Sequence, residues 1–140
     1  MGGSAPETGT PIAGTYIELF SCQLDDGTCL EVNVRIVMGV TFRNGEYRID
    51  DLGSNAVAIG TRPNDTILVW DSTDPDFPGF NENGAWIFTF GSDPDSTTFT
   101  KASEFMQDQG MSGNCVGNGR LASEGEPDPP PAFMPPCIPQ

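Results

Sequence analysis

The chain has no histidine, a single lysine (Lys101) and six basic side chains in all, against 20 acidic ones, giving a formal net charge of -14 over 140 residues. Each shortage excludes something. Without histidine, the commonest zinc ligand and general base is missing, and a serine nucleophile would have to recruit Lys101. So acidic a chain cannot neutralise a phosphate backbone, which excludes nucleic acid as a partner and disfavours an anionic membrane surface. No apolar run reaches the ~18 residues of a membrane-crossing helix. The opening Met1-Gly2-Gly3-Ser4-Ala5-Pro6 lacks the basic and apolar regions of a signal peptide. No repeat of fixed period is visible.

Cysteine is sparse but informative: Cys22, Cys29, Cys115 and Cys137. Their spacings are not the close pairs of a zinc ribbon, so the expectation is two disulfides, Cys22–Cys29 and Cys115–Cys137. Disulfides imply an oxidising setting at maturity, extracellular or on a virion oxidised after release. No metal and no cofactor are expected. The acidic loop from Asp71 to Gly84 fails the EF-hand template, because the fifth position from Asp74 is Pro78; a loose calcium group could draw only on Asp74, Asp76 and Glu82. The close carboxylate pairs Asp25/Asp26, Asp50/Asp51 and Asp93/Asp95 all fall in predicted turns, where turn propensity accounts for them. Gly117-Asn118-Gly119 is too short for a phosphate loop and reads as a turn or bulge. The chain is therefore not expected to be an enzyme.

What the chain does have is alternation. From Leu30 to Phe42 every even position is apolar and the odd positions are mostly polar or small, the period of a strand with one buried face. At about 3.3 Å per residue the run would be roughly 43 Å long, which predicts a bend or bulge, placed near Gly39. Asn44-Gly45 then predicts a two-residue hairpin pairing Arg43 with Glu46, Phe42 with Tyr47 and Val40 with Ile49. Upstream, a strand over Thr15–Cys22 and a turn over Gln23–Thr28 predict a hairpin with Cys22 opposite Cys29, Leu19 opposite Val32 and Ile17 opposite Val34. That register leaves Tyr16, Phe20 and the cysteine bridge on the outer face.

Further strands are expected over Asn55–Gly60, Thr66–Trp70, Ala85–Phe90, Thr97–Thr100 and Asn114–Ser123, with two helical turns over Ala102–Gln109. Seven or eight short strands separated by turn signals indicate an all-β fold, a single antiparallel β-barrel or β-sandwich over residues 14–123. Residues 1–13 read as an extended N-terminal arm and residues 124–140 as a Pro-rich C-terminal arm.

Arms of this composition, flanking a β-domain, suggest a structural protein of a large assembly such as a virion: a capsid decoration, cement or connector protein. Its partners would be other protein subunits, in a homo-oligomer or a capsid lattice, met through Tyr16, Phe20, Phe77, Phe80 and Phe133. The alternative is a secreted or periplasmic β-barrel in which Trp70, Trp86, Phe88 and Phe90 line a cavity for a small apolar ligand.

Overall fold

The alternating run becomes the longest strand of the fold, with Ile36, Met38, Val40 and Phe42 packed inward and Glu31, Arg35 and Thr41 exposed. The computed structural model describes residues 10–92, 96–107 and 110–122. They form eight strands: β1 (Gly14–Leu24), β2 (Cys29–Arg43), β3 (Glu46–Asp51), β4 (Val57–Asn64), β5 (Ile67–Thr73), β6 (Asn81–Thr89), β7 (Thr98–Met106) and β8 (Ser112–Leu121). Each pairs antiparallel with the next, and β8 returns to β1, so the sheet closes as an up-and-down barrel rather than a sandwich. A barrel of eight strands encloses a space that side chains can just fill, or that can hold one small ligand.

The Asn44-Gly45 hairpin has the expected register: Arg43 faces Glu46, Phe42 faces Tyr47 and Val40 faces Ile49. Asn44 and Gly45 take φ of 54° and 80°, as a two-residue turn of this kind requires.

The first hairpin differs from expectation. Gln23 pairs with Cys29, Cys22 with Glu31, Phe20 with Val34 and Leu19 with Arg35. Tyr16, Glu18, Phe20 and Cys22 face inward, while Ile17, Leu19 and Ser21 form the other face. Apolar residues occupy both faces of β1, so alternation alone leaves its orientation open. The bulge in β2 lies at Asn33, which takes φ of 50° and donates its N–H to Ser21 Oγ at 2.8 Å, and not at Gly39, which pairs regularly with Thr15.

The cysteines are also paired differently. Cys22 is bonded to Cys115, its direct neighbour across the β1–β8 seam, and this replaces the expected Cys22–Cys29 and Cys115–Cys137 bridges. Cys137 lies outside the described residues, as do Phe133, Asp93, Asp95, residues 1–9 and the whole C-terminal arm; among the described residues no cysteine is free.

Of the helical turns expected over Ala102–Gln109, Ala102–Met106 is instead the second half of β7, whose inward positions are Phe99, Lys101, Ser103 and Phe105; residues 108 and 109 lie outside the described residues. Gly117-Asn118-Gly119 is no turn but the middle of β8. Glycines on the inner face of β8 leave room that neighbouring strands fill: a Cβ on Gly119 would overlap the Phe99 ring.

The two ends of the barrel differ. At the end where β2–β3, β4–β5 and β6–β7 turn, aromatic rings fill the interior. Trp86 stacks on Phe99 with centroids 4.0 Å apart, and Tyr16 and Phe88 meet the same ring at 5.7 Å. Residues 10–13 close this end. Ile12, expected in a loose arm, is fully buried, and its carbonyl accepts a 2.8 Å hydrogen bond from Tyr16 Oη. Arg62 holds the same segment, donating to the Thr10 carbonyl at 2.7 Å and to Tyr47 Oη at 3.1 Å.

The Cys22–Cys115 bond spans 93 positions in sequence. By chain entropy such a link contributes at most about 4–5 kcal/mol. The double variant Cys22→Ala/Cys115→Ala is expected to lower the free energy of unfolding by about 2–4 kcal/mol in urea titrations. No measurable change would show that the seam needs no staple.

Candidate functional site

At the opposite end, where the β1–β2, β3–β4, β5–β6 and β7–β8 loops meet, the interior is polar and partly empty. Three strands supply its charges. β7 brings the sole lysine, because the alternation that buries Phe99 and Phe105 also turns Lys101 and Ser103 inward. β1 brings Glu18 and β6 brings Glu82. Between β7 and β1 lies Gly117, register partner of both Lys101 and Phe20. With no side chain at Gly117, the lysine can cross β8: its Nζ lies 4.6 Å from the centre of the Phe20 ring and 3.6 Å from Glu18 Oε1.

Lys101 Nζ sits 3.1 Å from Glu82 Oε2, and Ser103 Oγ donates to that same oxygen at 2.6 Å. Glu82 is thus firmly held. Glu18 is not: it has no solvent exposure, and neither carboxylate oxygen has a hydrogen-bond partner, the 3.6 Å ion pair being too long for one. The indole Nε1 of Trp70 is likewise buried without a partner. Burial pushes the Glu18 carboxyl from 4.5 up to about 7; Lys101 pulls it down, and the charges of Glu82 and Asp51 push it up again. For Lys101, burial works against the charge, but Glu18 and Glu82 outweigh it and hold the ammonium above its ordinary pKa.

These groups border a cavity of about 190 Å³ whose other walls include Ile36, Met38, Ile49, Trp70 and Trp86, with Asp51 and Asp74 toward the mouth. A second cavity of about 280 Å³ opens at the same end, beside Leu30, Phe77, Phe105 and the disulfide; Phe20, Phe80, Asp74 and Glu82 line both.

The residues expected to touch a partner therefore separate. Tyr16 is fully buried in the aromatic core, where its apolar contacts outweigh any external role. Phe20 faces the cavity, and Phe80 stands over it, stacked at 6.5 Å on Phe105. Phe77 alone is open to solvent, 63% exposed. Trp70 and Trp86 do line the cavity, whereas Phe88 and Phe90 belong to the closed end. No group of three metal-binding side chains occurs among the described residues; Asp76 is tied to Asn55 Nδ2 at 2.9 Å.

Sequence reading assigned no inward position to Glu18, Lys101 or Ser103. The one available signal was that the only lysine of an acidic chain lies between Phe99 and Phe105 at an inward phase, which a helical reading concealed.

Comparison with known proteins returns no matching family model, no matching curated protein and no matching solved structure. The disulfide is consistent with an oxidising, extracellular environment. No helix among the described residues is long and apolar enough to cross a membrane.

The raised Glu18 pKa has a definite sign. Between pH 4.5 and about 7 the folded state binds a proton that the unfolded state has released, so this group's contribution to stability is full below pH 4.5 and is lost as pH rises through 7. Its amplitude is of order 3 kcal/mol. Glu18→Gln, which keeps the volume and removes the titration, is expected to gain stability over the parent as pH is raised from 5 to 8, in urea midpoints measured across that range. A difference that does not change with pH would mean that Glu18 is solvated.

Proposed function

We propose that this protein is a binding barrel that takes one small molecule into the open end of its interior. The observation that carries the reading is the unfilled space of about 190 Å³ inside a closed barrel whose other end is solid with aromatic rings and capped by Ile12. Well-packed interiors leave few voids larger than a water molecule. A cavity of about 150 Å³ is enough to admit benzene, so the occupant is a compound with one ring and a few further atoms. Apolar walls with a few convergent polar groups are the usual make-up of such a site. This is the secreted-barrel alternative, with the difference that its interior carries charge and is not purely apolar.

An assembly role keeps a second observation. Leu30, Leu52, Phe77, Met106 and Met111, in or beside the loops at the open end, are exposed at 42–63%. A ring of apolar side chains of this kind would suit contact with another protein subunit. A particle mass far above the 14.9 kDa of one chain would favour it, and a monomer would remove it.

For the binding reading, Trp70 and Trp86 are built-in reporters. Titration with single-ring aromatic probes of different charge is expected to shift the Trp70 indole N–H resonance saturably. Amides of the exposed Asn44-Gly45 turn should stay fixed. Absence of any saturable shift, for every probe up to its solubility limit, would overturn the reading.

A further inference from the structure

We propose that the cavity selects a small organic cation, an amine carried on a single ring, and seats its ammonium against Glu18. The inference rests on the binding reading and specifies the chemistry of its ligand.

The first support is the unspent carboxylate. Glu18 is fully enclosed at mid-barrel, borders the cavity, and has both oxygens without a hydrogen bond. A buried carboxylate in that condition carries a large desolvation cost unless a donor meets it. Lys101 is ion-paired with Glu18 but, at 3.6 Å from Oε1, stands beyond hydrogen-bond distance, and its Nζ lies closer to Glu82, at 3.1 Å. A ligand N–H can supply the donor.

The second support is the balance of charge around the space. Glu18, Asp51, Asp74 and Glu82 line it, against Lys101 alone. Once Lys101 has neutralised one carboxylate, the remaining field favours a cation and repels an anion, and the low-dielectric walls sharpen that preference. The walls themselves suit a cation. Phe20, Trp70, Phe80 and Trp86 present aromatic rings to the same space, and two of them already hold the Lys101 ammonium at 4.6 and 5.5 Å from their centres. The free indole N–H of Trp70 remains to donate to an oxygen on the ligand, where the ligand carries one.

Binding a cation beside Glu18 stabilises its carboxylate, so ligand uptake near neutral pH releases a proton. The release is greatest below pH 7, where the carboxyl holds its proton, and falls away above it.

Three probes of one shape and different charge decide the matter: 2-phenylethylamine, 2-phenylethanol and phenylacetate. The amine is expected to bind at least tenfold more tightly than the alcohol, about the worth of a hydrogen bond to a charged group, and the acid not to bind. Calorimetry in buffers of different ionisation enthalpy is expected to show proton release with the amine and none with the alcohol. Glu18→Gln is expected to abolish the preference for the amine over the alcohol. Should that variant not fold, the proton release of the unaltered protein is decisive by itself. Equal or tighter binding of the alcohol or the acid overturns the cation while leaving the barrel a binding protein. Amine binding that neither releases a proton between pH 5 and 7 nor weakens in Glu18→Gln overturns the placement at Glu18. If none of the three binds, the cation inference falls, and the wider probe set then decides whether the binding reading falls with it.

Discussion

Closure of the sheet is the constraint on which the rest depends. β1 and β8 come from opposite ends of the described chain, yet they pair over nine register positions from Tyr16–Leu121 to Leu24–Gly113. Until that seam forms there is no inside: Glu18 has no Lys101 to face, and the aromatic rings have nothing to close upon. The local hairpins can assemble on short loops, but the seam carries the loop-closure entropy of nearly the whole domain. It is here that the protein places a covalent link, and here that the facing strand is thinnest. Gly113, Gly117 and Gly119 turn bare backbone to the interior, and a Cβ at Gly117 would stand 2.5 Å from the Leu19 carbonyl. Close approach of the two strands and passage of the Lys101 side chain across them are thus two results of the same omission.

The interior that closure creates is divided. One half is a packed aromatic core that contributes stability; the other keeps an ion-paired group, an unpartnered carboxylate and empty volume. Burying ions is costly, and pairing them offsets that cost only where each is well hydrogen-bonded. Glu82 meets that condition, with partners at 2.6 and 3.1 Å; Glu18 does not. Arg62 clamping Thr10, and Ile12 beneath Tyr16, reinforce the end opposite the weakness.

The legible parts of the sequence were those whose physics is local. β2 alternates because its inner face is apolar throughout, and Asn44-Gly45 fixes a register with no help from distant residues. Alternation puts Trp86 on one face with Phe88 and Phe90, whereas Trp70 ends a run that is apolar at every position from Ile67 and has no period to orient it. What failed depended on partners far away in sequence. β7 was expected as a strand only over Thr97–Thr100, with helical turns from Ala102, because its inward positions Lys101 and Ser103 break the apolar alternation and make sense only in a polar interior. β1 was expected the other way round because a Cys22–Cys29 pairing across the local turn put Ile17 and Leu19 inside, and the inward Glu18 makes sense only with the buried Lys101 ammonium facing it. The pairing of Cys22 with Cys115, 93 positions away, could not be deduced from spacing, since four cysteines allow three connectivities. The candidate site lies in these same strands, so the least legible part of the fold is the part that bears on function.

The bond between Cys22 and Cys115 also changes what the chain is as an object. Everything from the β1–β2 turn to the start of β8 belongs to one closed covalent ring. A single cut anywhere in that ring, at the exposed Phe77 tip or any other loop between the two cysteines, opens the ring but detaches nothing. Both new ends stay tethered to the same barrel, whose ladders still hold the flanking strands. In surroundings that favour disulfides and expose loops to proteases, this protein can be nicked once and still remain one molecule.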